Sequence, residues 1–223
     1  MNPQFVYCHW NHSELEAFVA DEYPWLLSTY LAYPYVIQRC NLARYLLVYH
    51  YGGTYVDLDV VSRTSMSVIF ASAPVSAGFI VAPTKPFGYA QEFIAVRRPR
   101  DPVMRGVIAG VRRAAASLWY PPLPYTRNMF RIGTVYFTRL LNCYGGEGRM
   151  FVIPASKYYG IYVDHVGGAS WHSWDGRIIW NTYLLYKRVT HRPTVLLAAL
   201  SAILVLLVVI IRYRRCFRRL LKS

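Results

Sequence analysis

Acidic side chains are scarce in this chain of 223 residues: 11 Asp and Glu stand against 25 Lys and Arg. Charged residues of both signs make up only 16% of it and hydrophobic ones 55%, a balance that excludes a disordered protein and provides for a full core. Cysteines are few as well. Cys8, Cys40, Cys143 and Cys216 are scattered, with no Cys-x-x-Cys pair and no zinc-binding spacing, and they read as free or buried thiols. No internal repeat and no N-terminal signal peptide are visible. The length suits one ordinary domain plus a small extra.

What is abundant is basic charge and apolar sequence. The net charge is +14, but Arg212, Arg214, Arg215, Arg218, Arg219 and Lys222 lie in the last twelve residues, and fourteen less these six leaves +8 elsewhere. The excess is partly a property of the tail, and no nucleic-acid partner is expected. Ahead of that tail, Val195 to Ile211 is apolar throughout apart from Ser201. As a helix it would span roughly 26 Å, enough for a bilayer core. Lys187, Arg188 and Arg192 flank it on one side and the arginine cluster on the other. We expect a transmembrane helix over 194–211, a basic tail over 212–223 and a main domain over 1–190. The heavier basic side is C-terminal, which points the tail to the cytosol. A lone C-terminal anchor without a signal peptide usually leaves its domain there instead, so the two rules conflict. Cys216, beside the membrane, is a palmitoylation site or an unmodified thiol.

Two of the few acids sit together in an apolar stretch. An apolar, helix-like run over 36–50 ends at Gly52-Gly53, residues that accept the positive φ closing a helix. Thr54-Tyr55-Val56 then reads as a short strand, followed by Asp57-Leu58-Asp59. On a strand the two aspartates would share one side, with Leu58 on the other. Two such carboxylates repel unless a cation sits between them, and hard oxygen ligands suit Mg²⁺ or Mn²⁺. A solvated turn is the bland alternative for any Asp-x-Asp. The helix, glycine turn and strand ahead of it favour a metal–diphosphate site. Arg44, on the preceding helix, would reach a phosphate, brace an aspartate or remain solvated.

Elsewhere, Phe5 to Trp10 reads as a strand, and Ser13 with Glu16 as a capping box opening a helix that Tyr23-Pro24-Trp25 breaks. A strand is expected over 75–81, a helix from Pro86 through Val96, and another from Pro102 to about Trp119. A rigid connector at 121–124, a helix over 128–141 and a strand over 150–153 follow. Strands alternating with helices predict an α/β domain with a mostly parallel central sheet, whose ligands bind at the carboxyl ends of strands. A second dense stretch, Val163-Asp164-His165-Val166-Gly167-Gly168-Ala169-Ser170-Trp171-His172, sets two histidines around a Gly-Gly turn. An imidazole there is a candidate third metal ligand, and the glycines would let backbone N–H groups approach a diphosphate.

These residues resemble the glycosyltransferase family 32 enzymes with an Asp-x-Asp motif, and within them the catalytic subunits of inositol phosphorylceramide mannosyltransferases. The likeness runs from Tyr23-Pro24-Trp25 through Ala32-Tyr33-Pro34-Tyr35, Ile37-Gln38-Arg39, Ala43-Arg44-Tyr45 and Tyr49-His50-Tyr51-Gly52-Gly53 to Asp57-Leu58-Asp59, and resumes over 165–172. It implies a GT-A fold, a sugar-nucleotide donor (GDP-mannose for the nearest relatives), Mn²⁺ or Mg²⁺, and retention of anomeric configuration. It assigns catalysis to Asp57 and Asp59, metal binding to Asp57, Asp59 and His165, and substrate binding to Arg44, Asn41, Tyr45, Gly53, Gly168, Ser170, Trp171 and His172. It further implies a membrane lipid acceptor with a sphingolipid head group, a regulatory subunit as partner, and a single-pass protein of the Golgi or another endomembrane. No catalytic base is nominated, since the leaving phosphate can take the acceptor's proton.

Three departures surround the sugar and acceptor: Asn41 where the family usually has aspartate, Ser76-Ala77-Gly78 where it shows Asn-Asp, and Ile132-Gly133-Thr134 where it shows Thr-Gly-Pro. Two other classes therefore stand beside the enzyme: a pseudoenzyme that binds nucleotide sugar or a partner, and a basic membrane-surface adaptor working through the arginine-rich tail.

Overall fold

A computed structural model describes residues 2–85, 87–117, 123–146, 148–167 and 174–190. The chain divides into two compact units, Met1–His172 and Ser173–Ser223.

The first unit opens with three helices, α1 (His12–Glu22), α2 (Pro24–Ala32) and α3 (Val36–Tyr51). The capping box lies two residues earlier than the sequence suggested. The Glu14 N–H donates to Asn11 Oδ1 at 3.0 Å, and the Asn11 N–H donates to the Glu14 carboxylate at 2.8 Å. Pro24 both ends α1 and begins α2, because a first-turn residue needs no N–H. The stretch 5–10 forms no strand. Instead Trp10 packs its ring on Phe18 and Tyr51, with centroids 5.5 and 6.0 Å apart. Helix α3 stops at Gly52, whose φ of 69° is unfavourable to any side chain and whose N–H closes on the Val48 carbonyl. A Cβ there would also meet the Pro99 backbone nitrogen at 3.1 Å.

The chain continues through β1 (Gly53–Val56), β2 (Val60–Ser62), α4 (Met66–Ser72), β3 (Phe79–Pro83) and β4 (Tyr89–Val96). Then come α5 (Pro102–Ala109), α6 (Val111–Ala116), α7 (Pro124–Arg131), α8 (Thr134–Tyr144), β5 (Met150–Val152), α9 (Ala155–Lys157), a π turn (Tyr158–Tyr162) and β6 (Val163–His165). The two long helices expected after Pro102 and near Asn128 are each divided. Gly110 separates α5 from α6, and Ile132-Gly133 separates α7 from α8.

The central sheet has the order β1-β4-β3-β5. It corrects the mostly parallel expectation: β1 and β3 both pair antiparallel to β4, and only β3 with β5 is parallel. The cause is local. Residues 89–96, expected to be helical, form the central strand β4, which returns from β3 through a tight turn where the Thr84 N–H donates to the Gly88 carbonyl. Phe93, Ile94, Ala95 and Val96 are all fully buried, and such a run fits a strand covered on both faces as well as a core helix. Alternation divides the sheet cleanly. Phe79, Val81, Ile94 and Val96 face a core built with α1, α2, α3, α5 and α8, while Ile80, Ala82, Phe93 and Ala95 face a second cluster with Met66, Ile69 and Tyr158. The result is an α/β domain with a mixed sheet. A separate ribbon joins β2 antiparallel to β6, with Val60 opposite His165.

Of the second unit the described part is helix α10 (Trp174–Thr190). Among the described residues no helix is long and apolar enough to cross a membrane. The apolar run at 195–211, and with it the expected transmembrane helix and basic tail, lies outside the described residues.

Candidate active site

The site forms where the end of β1, the start of β2, the end of β6 and the middle of β4 come together. Helix α3 contributes Arg44, whose side chain is only 4% exposed. Its Nη1 donates to the Gln91 carbonyl at 2.9 Å and lies 3.3 and 3.4 Å from the two Asp57 oxygens. The guanidinium also stands over the Tyr55 ring, 4.9 Å from its centroid. Burial works against the charge of Arg44, but Tyr55 and Asp57 outweigh it and its pKa is raised. Of the three fates open to Arg44, the structure takes one: it braces an aspartate.

Asp57 is held from three sides. Beyond Arg44, the Tyr55 hydroxyl donates to its Oδ1 at 2.7 Å, and its own N–H donates to the Glu92 carbonyl at 2.9 Å. The Asp-x-Asp does not continue the strand, which corrects the expected one-sided pair. The chain turns at Leu58-Asp59, the Val60 N–H closing on the Asp57 carbonyl at 3.0 Å and Leu58 projecting 80% exposed. The turn is what delivers Asp59 to β6. The Val166 N–H donates to the Asp59 carbonyl at 2.9 Å, and Asp59 Oδ2 faces His165 Nε2 at 3.6 Å.

One participant was not anticipated. Glu92, on β4, places Oε2 3.6 Å from the same His165 nitrogen. Its Oε1 accepts from the hydroxyls of Tyr159 at 3.0 Å and Tyr158 at 3.3 Å. Burial raises the pKa of Glu92, and the neighbouring His165 and the two phenols work the other way. The signal available in sequence was an acid inside the apolar stretch Tyr89–Val96, which a helical reading turns into a solvated face.

Among the described residues no group of three or more Asp, Glu, His or Cys side chains is already arranged to hold a metal ion. The donor chemistry nevertheless fits a hard divalent ion. Ligand atoms at about 2.1 Å from Mg²⁺ or Mn²⁺ sit roughly 3 Å apart at right angles. Either carboxylate oxygen, 3.6 Å from the imidazole nitrogen, needs to close only slightly to share such an ion with it.

The other expected residues divide. Asn41 is buried and its Nδ2 donates to Asn128 Oδ1 at 3.1 Å, while Asn128 Nδ2 has no partner among the described residues. Tyr45 lies in the core, stacked on Phe137 at 5.2 Å and donating to the Ile132 carbonyl at 2.8 Å, so it is not brought to the site surface. Gly53 has φ 78° and nothing within 4 Å of a would-be Cβ, which leaves its backbone open to approach. Gly168, Ser170, Trp171 and His172 lie outside the described residues. Asp164 points away from His165 along β6 and is paired with Arg63 on the exposed side.

A charged turn facing an imidazole across two distant segments is the setting in which the likeness to known proteins becomes informative. Residues 1–76 match the model of a family described as the glycosyltransferase sugar-binding region containing a DXD motif. The resemblance read from Asp57-Leu58-Asp59 is thus borne out over residues 1–76. Among individual relatives it is 31% identical over 202 residues to inositol phosphoceramide mannosyltransferase 2 of Schizosaccharomyces pombe, covering 83% of this chain and 55% of that protein. It is 27% identical over 192 residues to inositol phosphoceramide mannosyltransferase 1 of the same yeast, covering 77% of this chain and 53% of the other. It is 24% identical over 188 residues to mannosyl phosphorylinositol ceramide synthase CSH1 of Saccharomyces cerevisiae, covering 80% and 48%. The chain spans about half the length of the curated relatives it matches. Among solved structures, the PaToxG glycosyltransferase aligns with a TM-score of 0.36 at 17% identity, covering 59% of this chain and 39% of that one.

Proposed function

We propose that the chain is a metal-dependent retaining glycosyltransferase of GT-A type, transferring mannose from GDP-mannose to inositol phosphorylceramide or a similar sphingolipid head group. The observation that carries this reading is the meeting of Asp59 and His165 at 3.6 Å beside an Asp57 locked by Arg44 and Tyr55. The names of the relatives supply the sugar and the lipid class.

In this reading Asp59 and His165 hold Mn²⁺ or Mg²⁺, and Asp57 offers its free edge to the ion and the nucleotide ribose. A bound divalent cation supplies positive charge to the diphosphate as the glycosyl–phosphate bond breaks. The chain's part is to keep its acids so placed that only a slight closure brings them onto an ion. Arg44 and Tyr55 fix the Asp57 carboxylate, and the β2–β6 pairing fixes Asp59 against His165. The bond between the anomeric carbon and the diphosphate oxygen breaks, a bond from that carbon to the acceptor oxygen forms on the same face, and the acceptor's proton passes to the leaving phosphate. Such a step requires no protein base. Gly168, Ser170 and Trp171 belong to the diphosphate side, His172 to substrate binding, and Asn41 to the neighbourhood of the donor sugar.

The same proposal assigns the glycosyltransferase domain to 1–190, the membrane helix to 194–211 and the basic tail to 212–223. It places the protein in the Golgi or another endomembrane beside its lipid acceptor, with a regulatory subunit as partner. A pseudoenzyme is the second reading, favoured by the neutral Asn41–Asn128 pair where the family usually carries an acid. A donor screen with inositol phosphorylceramide vesicles and Mn²⁺, read by mass spectrometry, separates them. A mannosylated lipid from GDP-mannose supports the transferase. Binding of GDP-mannose without product from any sugar nucleotide leaves the pseudoenzyme.

A further inference from the structure

We propose that Glu92 is a ligand of the divalent cation, completing with Asp59 and His165 a set that spans β4, the turn after β1, and β6. This rests on the metal-dependent reading of the site. It adds a residue from a strand that the Asp-x-Asp motif does not touch.

Three features of the structure carry the assignment. The first is position. Antiparallel β1 and β4 set Val56 opposite Phe93, and the next step brings the Asp57 N–H to the Glu92 carbonyl at 2.9 Å. The backbones of Glu92 and Asp57 thus adjoin, which sets Glu92 beside the motif on the neighbouring strand.

The second is how its two oxygens are used. Oε1 is committed to the hydroxyls of Tyr158 and Tyr159, whereas Oε2 has no hydrogen bond among the described residues and faces His165 Nε2 at 3.6 Å. A carboxylate anchored by one oxygen and presenting the other is how outer partners orient a metal ligand.

The third is what the alternatives leave unexplained. At 3.6 Å neither Asp59 nor Glu92 is hydrogen-bonded to the imidazole, since such bonds rarely exceed about 3.2 Å. Two carboxylates thus flank one ring nitrogen that satisfies neither. Asp57 differs, being already engaged by Arg44 and Tyr55. Beside the edge that Asp57 offers, Asp59 Oδ2 and Glu92 Oε2 accept no hydrogen bond among the described residues and can turn onto a cation. Mg²⁺ and Mn²⁺ sites commonly use one or two carboxylates and leave the other positions to phosphate and water, which this set allows.

The test is Mn²⁺ binding to the full-length protein in detergent, in the presence of GDP, followed by electron paramagnetic resonance and compared between native protein and variants. In Glu92→Gln the remaining carbonyl still accepts from both tyrosines, so the strand and the π turn stay in place, and unchanged thermal unfolding confirms it. Asp164→Asn, altering an acid on the outer side of β6, serves as control. We expect Glu92→Gln to weaken Mn²⁺ binding by about tenfold or more, as Asp59→Asn does, with Asp164→Asn like native. Native-like Mn²⁺ affinity in Glu92→Gln, with Asp59→Asn impaired, overturns the assignment and leaves the rest of the site standing. Absence of Mn²⁺ binding by native protein, or Asp59→Asn binding as native does, overturns the metal reading and this inference together.

Discussion

Arg44→Met tests whether the buried guanidinium is the keystone of the site. The native side chain donates to the Gln91 carbonyl at 2.9 Å in a region closed to water. Hydrogen bonds to a charged partner contribute about 1.5–3 kcal/mol net, and the carbonyl would be left unsatisfied on truncation. The Asp57 contact adds less. That carboxylate is 30% exposed, so solvent screens the pair and about 0.5–1 kcal/mol is a fair share. Together the loss is roughly 2–4 kcal/mol, which for a chain of this size lowers the melting temperature by about 5–15 °C. Arg44→Lys should recover part of the loss, since a lysine keeps the charge but cannot serve the carbonyl and carboxylate with one planar fork. The assay is thermal unfolding by circular dichroism, with a double-mutant cycle against Asp57→Asn. The cycle should show that Asp57→Asn costs less in the Arg44→Met background than in native protein. A melting temperature within about 1 °C of native for Arg44→Met, or strict additivity in the cycle, would refute the reasoning.

Other consequences are more local. Gly133→Ala would press a Cβ to 2.8 Å from the Asn128 carbonyl; we expect a loss of about 1–3 kcal/mol in denaturant titration, because the α7–α8 break also positions the Ile132 carbonyl beneath Tyr45. Asp101 caps α5 by accepting from the Val103 and Met104 N–H groups at 2.8 and 3.2 Å, so Asp101→Ala should cost about 0.5–2 kcal/mol. Burial raises the pKa of Asp101, so the folded chain binds that proton more tightly than the unfolded one. Its contribution is therefore most favourable below the unfolded carboxyl value of about 3.9 and declines as pH rises through the raised folded value. Asp101→Asn keeps the cap and should remove that part of the acid-range slope, which stability measured at stepped pH will show. Tyr159→Phe should leave the fold intact and weaken Mn²⁺ binding severalfold, up to about tenfold, by leaving the anchored oxygen of Glu92 to Tyr158 alone; equal binding would show the phenol to be dispensable.

The parts of the fold that could be read in advance are those whose cause is local. Helix α3 and its stop at Gly52 follow from apolar spacing ended by two glycines, and β1 from its β-branched and aromatic residues. Pro24 and Pro102 mark helix starts for the same reason, a missing N–H where none is needed. What could not be read depends on partners far away. Tyr89–Val96 carries apolar residues on both faces, so only its pairing with β1 and β3 decides that it is a strand. That one misreading made the sheet look parallel and hid Glu92. Asp57 and Asp59 were legible as a pair, but the turn between them is imposed by β2 meeting β6. The resemblance assigned Tyr45 to substrate binding along with Arg44, but one step along a helix rotates a side chain by about 100°, here into the core against Phe137.

The most direct test of the central claim is the rate of GDP release from GDP-mannose by the full-length protein in detergent, with and without Mn²⁺, for native protein, Asp59→Ala and His165→Ala. The account predicts release that requires the metal in native protein and falls at least a hundredfold, by about 3 kcal/mol in transition-state stabilisation, in both variants. Metal-independent release, or native rates in either variant, would contradict it.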